Sequence, residues 1–494
     1  MSLTARPRLR VGLALIAGGI GALGLAPYGI WPATLAALAV AIYLFDRAQS
    51  LRQAGLTGWA FGTGYFAIAL LWIVEPFLIQ PDVHGWMAPF ALVFLSAGLA
   101  LFWAAAFGVA YLAPKGSHIL TWIVAFALAE LARAYVFTGF PWAGLAQIWV
   151  GHGPDLLLAT IGPHGLGLVT LFAGLSLARA LWGRAVWPVR LAGLIPIIAV
   201  LAFGFAMRAN LPPTDTRAQM VRLIQPNARQ DQKWDPEMIP VFLDRKLAFT
   251  AATPTPDLIV WPETSVPTLL QYASPILEEM SAAAQSAPIV AGIQRRDGAR
   301  FYNSAFVLND ATPAQIYDKH HLVPFGEYIP LGDLAARIGL HGFAARDGQG
   351  MSAGPGPQLM DLGDLGLALP LICYEAVFPH LSRTAQRPDM LIQITNDAWF
   401  GDHSGPYQHL AQAQMRAIEQ GLPMIRAANT GISAMIDPHG RITQAIALGE
   451  AGYVDAALPA PLSPTLYART GDWPIIVLLS IAALGLGAFK RRER

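Results

Sequence analysis

Seven apolar runs, each near the length that crosses a bilayer, precede a long polar stretch, and an eighth follows it. A helix needs roughly 20 apolar residues to span the hydrocarbon core. The runs lie at about 11–26, 29–45, 57–79, 87–113, 117–135, 162–183, 187–207 and 473–489. Lipid offers no hydrogen-bond partner to the backbone, so such segments must close their bonds internally, as helices. The sequence is 54% hydrophobic and only 13% charged, about half the charge of an ordinary soluble protein. Residues 1–208 contain only Asp46, Glu75, Asp82, Glu130 and Asp155 as acids, and the others begin at Asp215. That asymmetry predicts two halves in two solvents. The basic start and first apolar run resemble a signal peptide, but a second run follows at once, so a retained helix is expected.

Orientation follows from the basic residues. Arg6, Arg8 and Arg10 precede the first run, and Arg47 and Arg52 lie between the second and third. Lys115 follows the fourth, Arg184 the sixth, and Lys490, Arg491, Arg492 and Arg494 end the chain. With eight crossings these all fall on the cytoplasmic side, which puts residues 209–472 on the opposite, periplasmic side. Trp31, Trp72, Trp86, Trp142 and Trp187 sit near run ends, where amphipathic rings favour the interface. The expected organisation is a polytopic membrane domain over 1–208 with seven transmembrane helices, a water-facing domain over 209–472, and a last helix with a basic tail over 473–494. Glu130 and Arg133 stand inside an apolar run. Intramembrane charges point to function by default, while their three-residue spacing also suits a mutually satisfied pair on one helix face. The Gly-, Pro- and Trp-rich stretch 136–161 reads as a re-entrant or interface-hugging segment. Net charge is +1 and no basic patch lies outside the membrane flanks, so no nucleic-acid partner is expected.

From about 215 short apolar runs alternate with polar helical stretches. Strands are expected at 219–225, 257–261, 288–294, 302–308, 366–372, 389–395 and 423–428, and helices at 236–250, 274–286 and 407–420. This pattern predicts an α/β domain with covered sheets. Strand ends are where such folds gather catalytic groups. Three segments there carry chemistry. Trp261-Pro262-Glu263-Thr264 sets a carboxylate just after a strand, where a helix N-cap or surface acid is the plainer reading. Tyr317-Asp318-Lys319-His320-His321 leads into Leu322-Val323-Pro324-Phe325-Gly326-Glu327, and its lysine suits an oxyanion clamp or an exposed loop. Leu371-Ile372-Cys373-Tyr374-Glu375 sets the single cysteine of the chain at a strand end, as a nucleophile on a tight turn or a small buried residue. Together they are more specific than apart. A thiol needs a base, and a carboxylate desolvated among apolar groups suits that task. A tetrahedral intermediate needs a cation on its oxygen. Glu263, Lys319 and Cys373 supply one of each.

The ordered set WPET, DKxHLVPFGEYIP and ICYE resembles the nitrilase (carbon–nitrogen hydrolase) superfamily, and with the flanking apolar runs it resembles the apolipoprotein N-acyltransferase family over essentially the whole chain. The resemblance implies a nitrilase-like αββα sandwich beside about eight transmembrane helices. It implies Glu263 as general base, Lys319 as oxyanion stabiliser and Cys373 as nucleophile. Glu327 would orient Lys319 or relay protons, Tyr374 would offer a backbone N–H to the oxyanion, and Glu375 would support the site. Trp234 in QKWD would handle the acceptor, and Asn396, Asp397, Trp399 and Phe400 match a stretch near where the acyl chain enters. The implied reaction takes a fatty acyl chain from a phospholipid, phosphatidylethanolamine in the first instance, through a cysteine thioester to the N-terminal amine of a diacylglyceryl-apolipoprotein in the bacterial inner membrane. The acyl ester supplies its own energy, so no cofactor is implied, and the chain is expected to act as a monomer. The alternative is a membrane-anchored amidase of the nitrilase type, which would not need so many helices. A lipid-binding protein on the same fold would be expected to lack part of the Glu–Lys–Cys set.

His320, His321, His403 and His409 show no metal-ligand spacing, so no metal is expected. Gly350-Met351-Ser352-Ala353-Gly354 fits the letters of a serine elbow without the strand before it or helix after it, and Ser352 reads as a loop residue. The Gly- and Ala-rich stretch 339–356 reads as a lid, a membrane-contacting arm or a plain surface loop.

Overall fold

A computed structural model describes residues 7–183, 185–330 and 350–492. The chain divides into two compact units, one of Met1–Pro212, His403–Ala411 and Thr465–Arg494, the other of Pro213–Asp402 and Gln412–Pro464.

The first unit is helical. Its main helices are Pro7–Gly21, Trp31–Asp46, Leu51–Ala69, Ala88–Tyr111, His118–Tyr135, Leu158–Trp182, Ile195–Ala209 and Trp473–Arg492. The expected eight crossings are only partly matched. Four described helical spans, Pro81–Tyr111, His118–Tyr135, Gly153–Trp182 and Trp187–Ala209, are long and apolar enough to cross a membrane. A fifth arises if Leu51–Ala69 and Leu71–Leu78, which meet at a 49° bend, count as one span. The physical reason is length. The helix Trp31–Asp46 has 16 residues, which at about 1.5 Å per residue falls short of the roughly 30 Å core. Val189, Ile195, Ile198 and Phe203 are exposed, as residues that meet lipid must be. Helices Pro7–Gly21 and Leu51–Ala69 pack through small residues, because a Cβ on Gly18 would run into the Phe61 carbonyl and one on Gly64 into that of Leu15.

The pair Glu130–Arg133 is satisfied internally. Arg133 Nε and Nη2 donate to the two Glu130 oxygens at 2.9 and 2.7 Å, and Trp103 Nε1 donates to Oε1 at 2.8 Å. Arg133 Nη1 also donates to the carbonyls of Phe140 and Trp142, the latter at 2.8 Å. It thereby ties down the start of the 136–161 stretch, which continues through short 3₁₀ turns at Leu145–Trp149 and Gly153–Leu157. Residues 403–411 group with this unit unannounced by their sequence. Trp142 Nε1 donates to Gln408 Oε1 at 2.7 Å, and the Trp142 ring stacks on His409.

The second unit contains two six-stranded mixed sheets. The first comprises β1 (Thr216–Gln225), β2 (Leu258–Val260), β3 (Ile289–Asp297), β4 (Arg300–Asn309), β5 (Thr312–Asp318) and β12 (Gly452–Pro459), in the order β12-β1-β2-β3-β4-β5. The second comprises β6 (Met360–Asp361), β7 (Leu367–Ile372), β8 (Met390–Thr395), β9 (Met424–Ala428), β10 (Ser433–Ile436) and β11 (Ile442–Ile446), in the order β11-β10-β9-β8-β7-β6. The central strands β1-β2-β3 and β7-β8-β9 run parallel and the flanking pairs antiparallel. Each sheet thus repeats one ladder of directions, a kinship with no trace in the residue pattern. Parallel strands must be covered on both faces. Ile259, Trp261, Ile289, Ala291 and Phe306 of the first sheet accordingly pack in one core with Leu277, Met280 and Ala284 of the helix Ser274–Ala284. All seven strands expected from sequence are present within a few residues, as are helices Met238–Thr250, Ser274–Ala284 and Gly405–Gln420. The missed strands β5, β6, β10, β11 and β12 flank the sheets. Two of them, β5 and β11, expose much of their length, which weakens the apolar signal.

Candidate active site

Four loops at strand ends build the site. Glu263 follows β2, Lys319 directly follows β5, Cys373 directly follows β7 and Asn396 directly follows β8. All four side chains are buried.

Lys319 is the centre. Its Nζ lies 2.9 Å from Glu327 Oε1 and 3.9 Å from Glu263 Oε1. Burial by itself would lower the Lys319 ammonium, but the charges of Glu327 and Glu263 reverse this and hold it well above the ordinary lysine range. It therefore stays a cation. The two carboxylates are organised by donors. Glu263 Oε1 accepts from Asn303 Nδ2 at 2.7 Å, and Oε2 accepts from the Asn396 backbone N–H at 2.8 Å. Glu327 Oε1 accepts from Asn303 Nδ2 at 3.2 Å, and Oε2 accepts from the Val323 N–H at 2.8 Å. Asn303 bridges both acids from inside β4.

Cys373 has φ 52°, a left-handed turn directly after β7, which is uncommon for any side chain but glycine. Burial pushes its thiol well above the usual range. The negative charge of Glu263 adds to this, and Lys319 pulls the other way. At neutral pH the sulfur is a protonated thiol beside a carboxylate, not a standing thiolate. Alkylation of Cys373 by iodoacetamide is therefore expected to keep accelerating beyond pH 9.0, the value of an ordinary thiol, and to slow further in Lys319→Met, where the one charge that favours the thiolate is gone. A rate that levels off near pH 7 would contradict this arrangement.

Glu375 is fully buried and saturated with donors. It accepts from the Ile372 N–H at 2.8 Å, the Tyr317 hydroxyl at 2.9 Å and the N–H groups of His320 and His321 at 2.9 and 3.1 Å. His320 Nδ1 also lies 2.9 Å from Oε1. Burial pushes the Glu375 carboxyl up, yet His320 and the Ile372 N–H outweigh it and hold the group below the usual range. One carboxylate thus joins the Cys373 turn to the segment that carries Lys319.

The other expected residues sort by surroundings. Tyr374 is buried, with its ring edge-on to Phe378. Asn396 also bonds Gln230 and Asn429 through its side chain. Asp397 is fully buried, its oxygens taken by the Thr395 hydroxyl and Arg426, so it braces the fold beneath the site. Trp234 and Trp399 are half-buried and Phe400 is buried, and Trp234 lines a small cavity beside Glu263. Ser352 lies in irregular chain, its N–H bonded to the Phe301 carbonyl. Most of the stretch 339–356 lies outside the described residues. Among the described residues no group of three His, Cys, Asp or Glu is placed to hold a metal ion. Sequence reasoning missed Asn303, Lys233, Lys246 and Arg426. Asn303 is a lone amide within the apolar strand YNSAFVL, and that was its available signal.

The arrangement couples a thiol, a carboxylate and a permanent cation out of water, which is the set that acyl transfer through a thioester requires. The family of carbon-nitrogen hydrolases matches residues 214–463, and the apolipoprotein N-acyltransferase N-terminal domain matches residues 17–176. The chain is 35% identical to the apolipoprotein N-acyltransferase of Rhodopseudomonas palustris, over 96% of this chain and 94% of that protein. It is 37% identical to that of Caulobacter vibrioides, over 97% and 94%, and 36% identical to that of Brucella melitensis, over 97% and 96%. With both domains matched and near-complete coverage, this chain belongs to the apolipoprotein N-acyltransferase family.

Proposed function

We propose that this protein transfers a fatty acyl chain from a phospholipid to Cys373 and then to the N-terminal α-amine of a diacylglyceryl-apolipoprotein. The observation that carries the reading is the buried Cys373 thiol on its left-handed turn, under the charges of Glu263 and Lys319, in a chain whose other unit is built of apolar helices. In the first half-reaction Glu263 takes the thiol proton as Sγ bonds the ester carbonyl carbon. The oxyanion meets the Lys319 ammonium and the Tyr374 N–H. Collapse breaks the ester C–O bond, and Glu263 returns the proton to the leaving lysophospholipid oxygen. In the second, the amine attacks the thioester, Glu263 takes a proton from nitrogen, the C–S bond breaks and sulfur regains the proton. Glu327 keeps Lys319 in place and Glu375 holds the two loops together. Trp234, Asn396, Trp399 and Phe400 contact the substrates, with Asp397 acting through Arg426.

In this reading the helices make eight crossings of the bacterial inner membrane, the shorter ones at sites of local thinning or at the interface. The basic flanks lie in the cytoplasm and residues 209–472 in the periplasm as the catalytic domain. Phosphatidylethanolamine is the donor, and the protein works as a monomer. Discharge of the thioester to water, the amidase-like outcome, is the reading that family membership disfavours. The test is intact-mass analysis of the purified protein and of Cys373→Ser after incubation with phosphatidylethanolamine. A fatty-acyl increment that hydroxylamine releases, that a diacylglyceryl peptide accepts and that Cys373→Ser lacks is the expected result. An adduct lost to water with the peptide untouched would favour the hydrolase, and no adduct at all would sink the thioester mechanism.

A further inference from the structure

The turn that presents Glu263 is strained. Thr264 has φ 46°, a left-handed conformation that β-branched residues avoid, and such backbone persists only where its surroundings over-determine it. One side of the clamp is the sheet. The N–H groups of Ser265 and Val266 donate to the Gly292 carbonyl at 2.9 and 3.2 Å, and the Gly292 N–H donates to the Pro262 carbonyl at 3.2 Å. The approach is so close that a Cβ on Gly292 would stand 2.6 Å from Glu263 Cα.

The other side is a pair of buried lysines that the mechanism above does not use. Lys233 Nζ donates to the Glu263 carbonyl at 3.3 Å, and Lys246 Nζ donates to the Ser265 carbonyl. These are the carbonyls on either side of Thr264. Lys233 and Lys246 are 9% and 4% exposed, and neither forms an ion pair among the described residues. Lys246 Nζ lies 5.2 Å from the Trp261 ring centroid and Lys233 Nζ 5.7 Å from that of Trp234. Both line one small cavity with Glu263, Ser265 and Trp234. Burial lowers Lys233 to about 8, against the opposing pull of Glu263, and lowers Lys246 to about 7, with the charge of Lys233 adding to it. Two amines taken out of water, with no carboxylate at ion-pair distance among the described residues, cost stability, which points to a use for what they hold.

We infer that Lys233 and Lys246 are positioning residues for acyl transfer: they grip the carbonyls flanking Thr264 and fix the Glu263 carboxylate against Asn303, Asn396 and Lys319. The inference rests on the thioester reading given above. A misplacement of about 1 Å in a catalytic group can cost on the order of 100-fold in rate. The experiment is single-turnover acylation of Cys373 by phosphatidylethanolamine in detergent micelles, followed by intact mass, for wild type, Lys233→Met, Lys246→Met and Lys246→Arg. Methionine keeps the length of the side chain and removes the donor. The first-order rate constant is expected to fall about 10- to 100-fold in both methionine variants, with the half-saturating lipid concentration within about twofold of wild type and substantial recovery in Lys246→Arg. A purely structural role would lower the fraction of protein that reacts and leave the rate constant of that fraction alone. Wild type that forms no adduct overturns the thioester reading, and this inference with it. Wild type that charges Cys373 while both methionine variants charge it within twofold of the same rate constant, or a loss that arginine does not recover, leaves that reading standing and overturns the positioning role.

Discussion

Glu263→Gln is expected to move two reactions of Cys373 in opposite directions. Acylation by phospholipid should fall by about 10²- to 10⁴-fold, the range that a general base contributes. Alkylation by iodoacetamide near pH 8 should rise. The reason lies in the two roles of one charge. As the base of the proposed mechanism, Glu263 would remove the thiol proton during attack. As a fixed negative charge, it is the largest cause after burial that holds the thiol protonated at rest. Glutamine removes both. It also puts an amide N–H₂ where an oxygen now accepts from Asn303 or from the Asn396 N–H, so one of those donors loses its partner. That loss costs about 1–3 kcal/mol, too little to account for the fall in rate. Timed alkylation and acylation, both read by intact mass on the same preparation, check the prediction. Parallel loss of both would mean that Glu263 ionises the thiol before substrate arrives.

Arg426→Met is expected to have the largest effect on stability. Arg426 is fully buried on β9. It donates to the Ile432 carbonyl at 3.1 Å, to Gln393 Oε1 at 2.5 Å and to Asp397. Gln393 Nε2 in turn donates to the Cys373 carbonyl at 3.2 Å, so the network ends at the backbone of Cys373. Asp397 is fully buried as well. Removing one partner of a buried ion pair strands the other charge and costs about 3–5 kcal/mol, a large part of the roughly 5–15 kcal/mol that holds a domain folded. The thermal midpoint of the purified protein in detergent should drop sharply. Arg426→Lys should recover little, because a point charge cannot replace three directed donors. Arg426→Met combined with Asp397→Leu should recover more than half of the loss, since removing both charges leaves none stranded. A single variant with an unchanged midpoint would show that Asp397 is neutral or solvated.

Much of the site was legible because its residues stand next to strand ends in short runs. WPET and ICYE each place a reactive side chain at the end of an expected apolar strand, whereas DKHH follows β5, whose half-exposed residues hid it in the sequence. Asn303 was not legible, since an amide inside a strand gives no sign of which face it occupies until register is known. Nothing in the residues around Lys233 and Lys246 marks either as buried, and the burial of Lys246 follows only once the helix Met238–Thr250 packs on the first sheet. The apolar runs announced a membrane unit but not its spans, because composition reports hydrophobicity and not where a helix bends or breaks. Gly162, with φ 63° and ψ −176°, kinks the helix Leu158–Trp182 at the first residue of the expected run 162–183.

By itself the sequence determined an apolar helical half and a polar α/β half, the central strands, and the presence of one thiol and several acids beside them. These follow from local patterns, for burial and periodicity act over a few residues. The tertiary structure alone decided which acid serves which purpose. Lys319 binds Glu327 more closely than Glu263, Glu375 anchors two loops, and Asp397 pairs with Arg426. Glu263 meets the Asn396 N–H across 133 positions. Contacts of that span depend on strand order and register, which arise from the packing of two sheets and leave no mark on neighbouring residues.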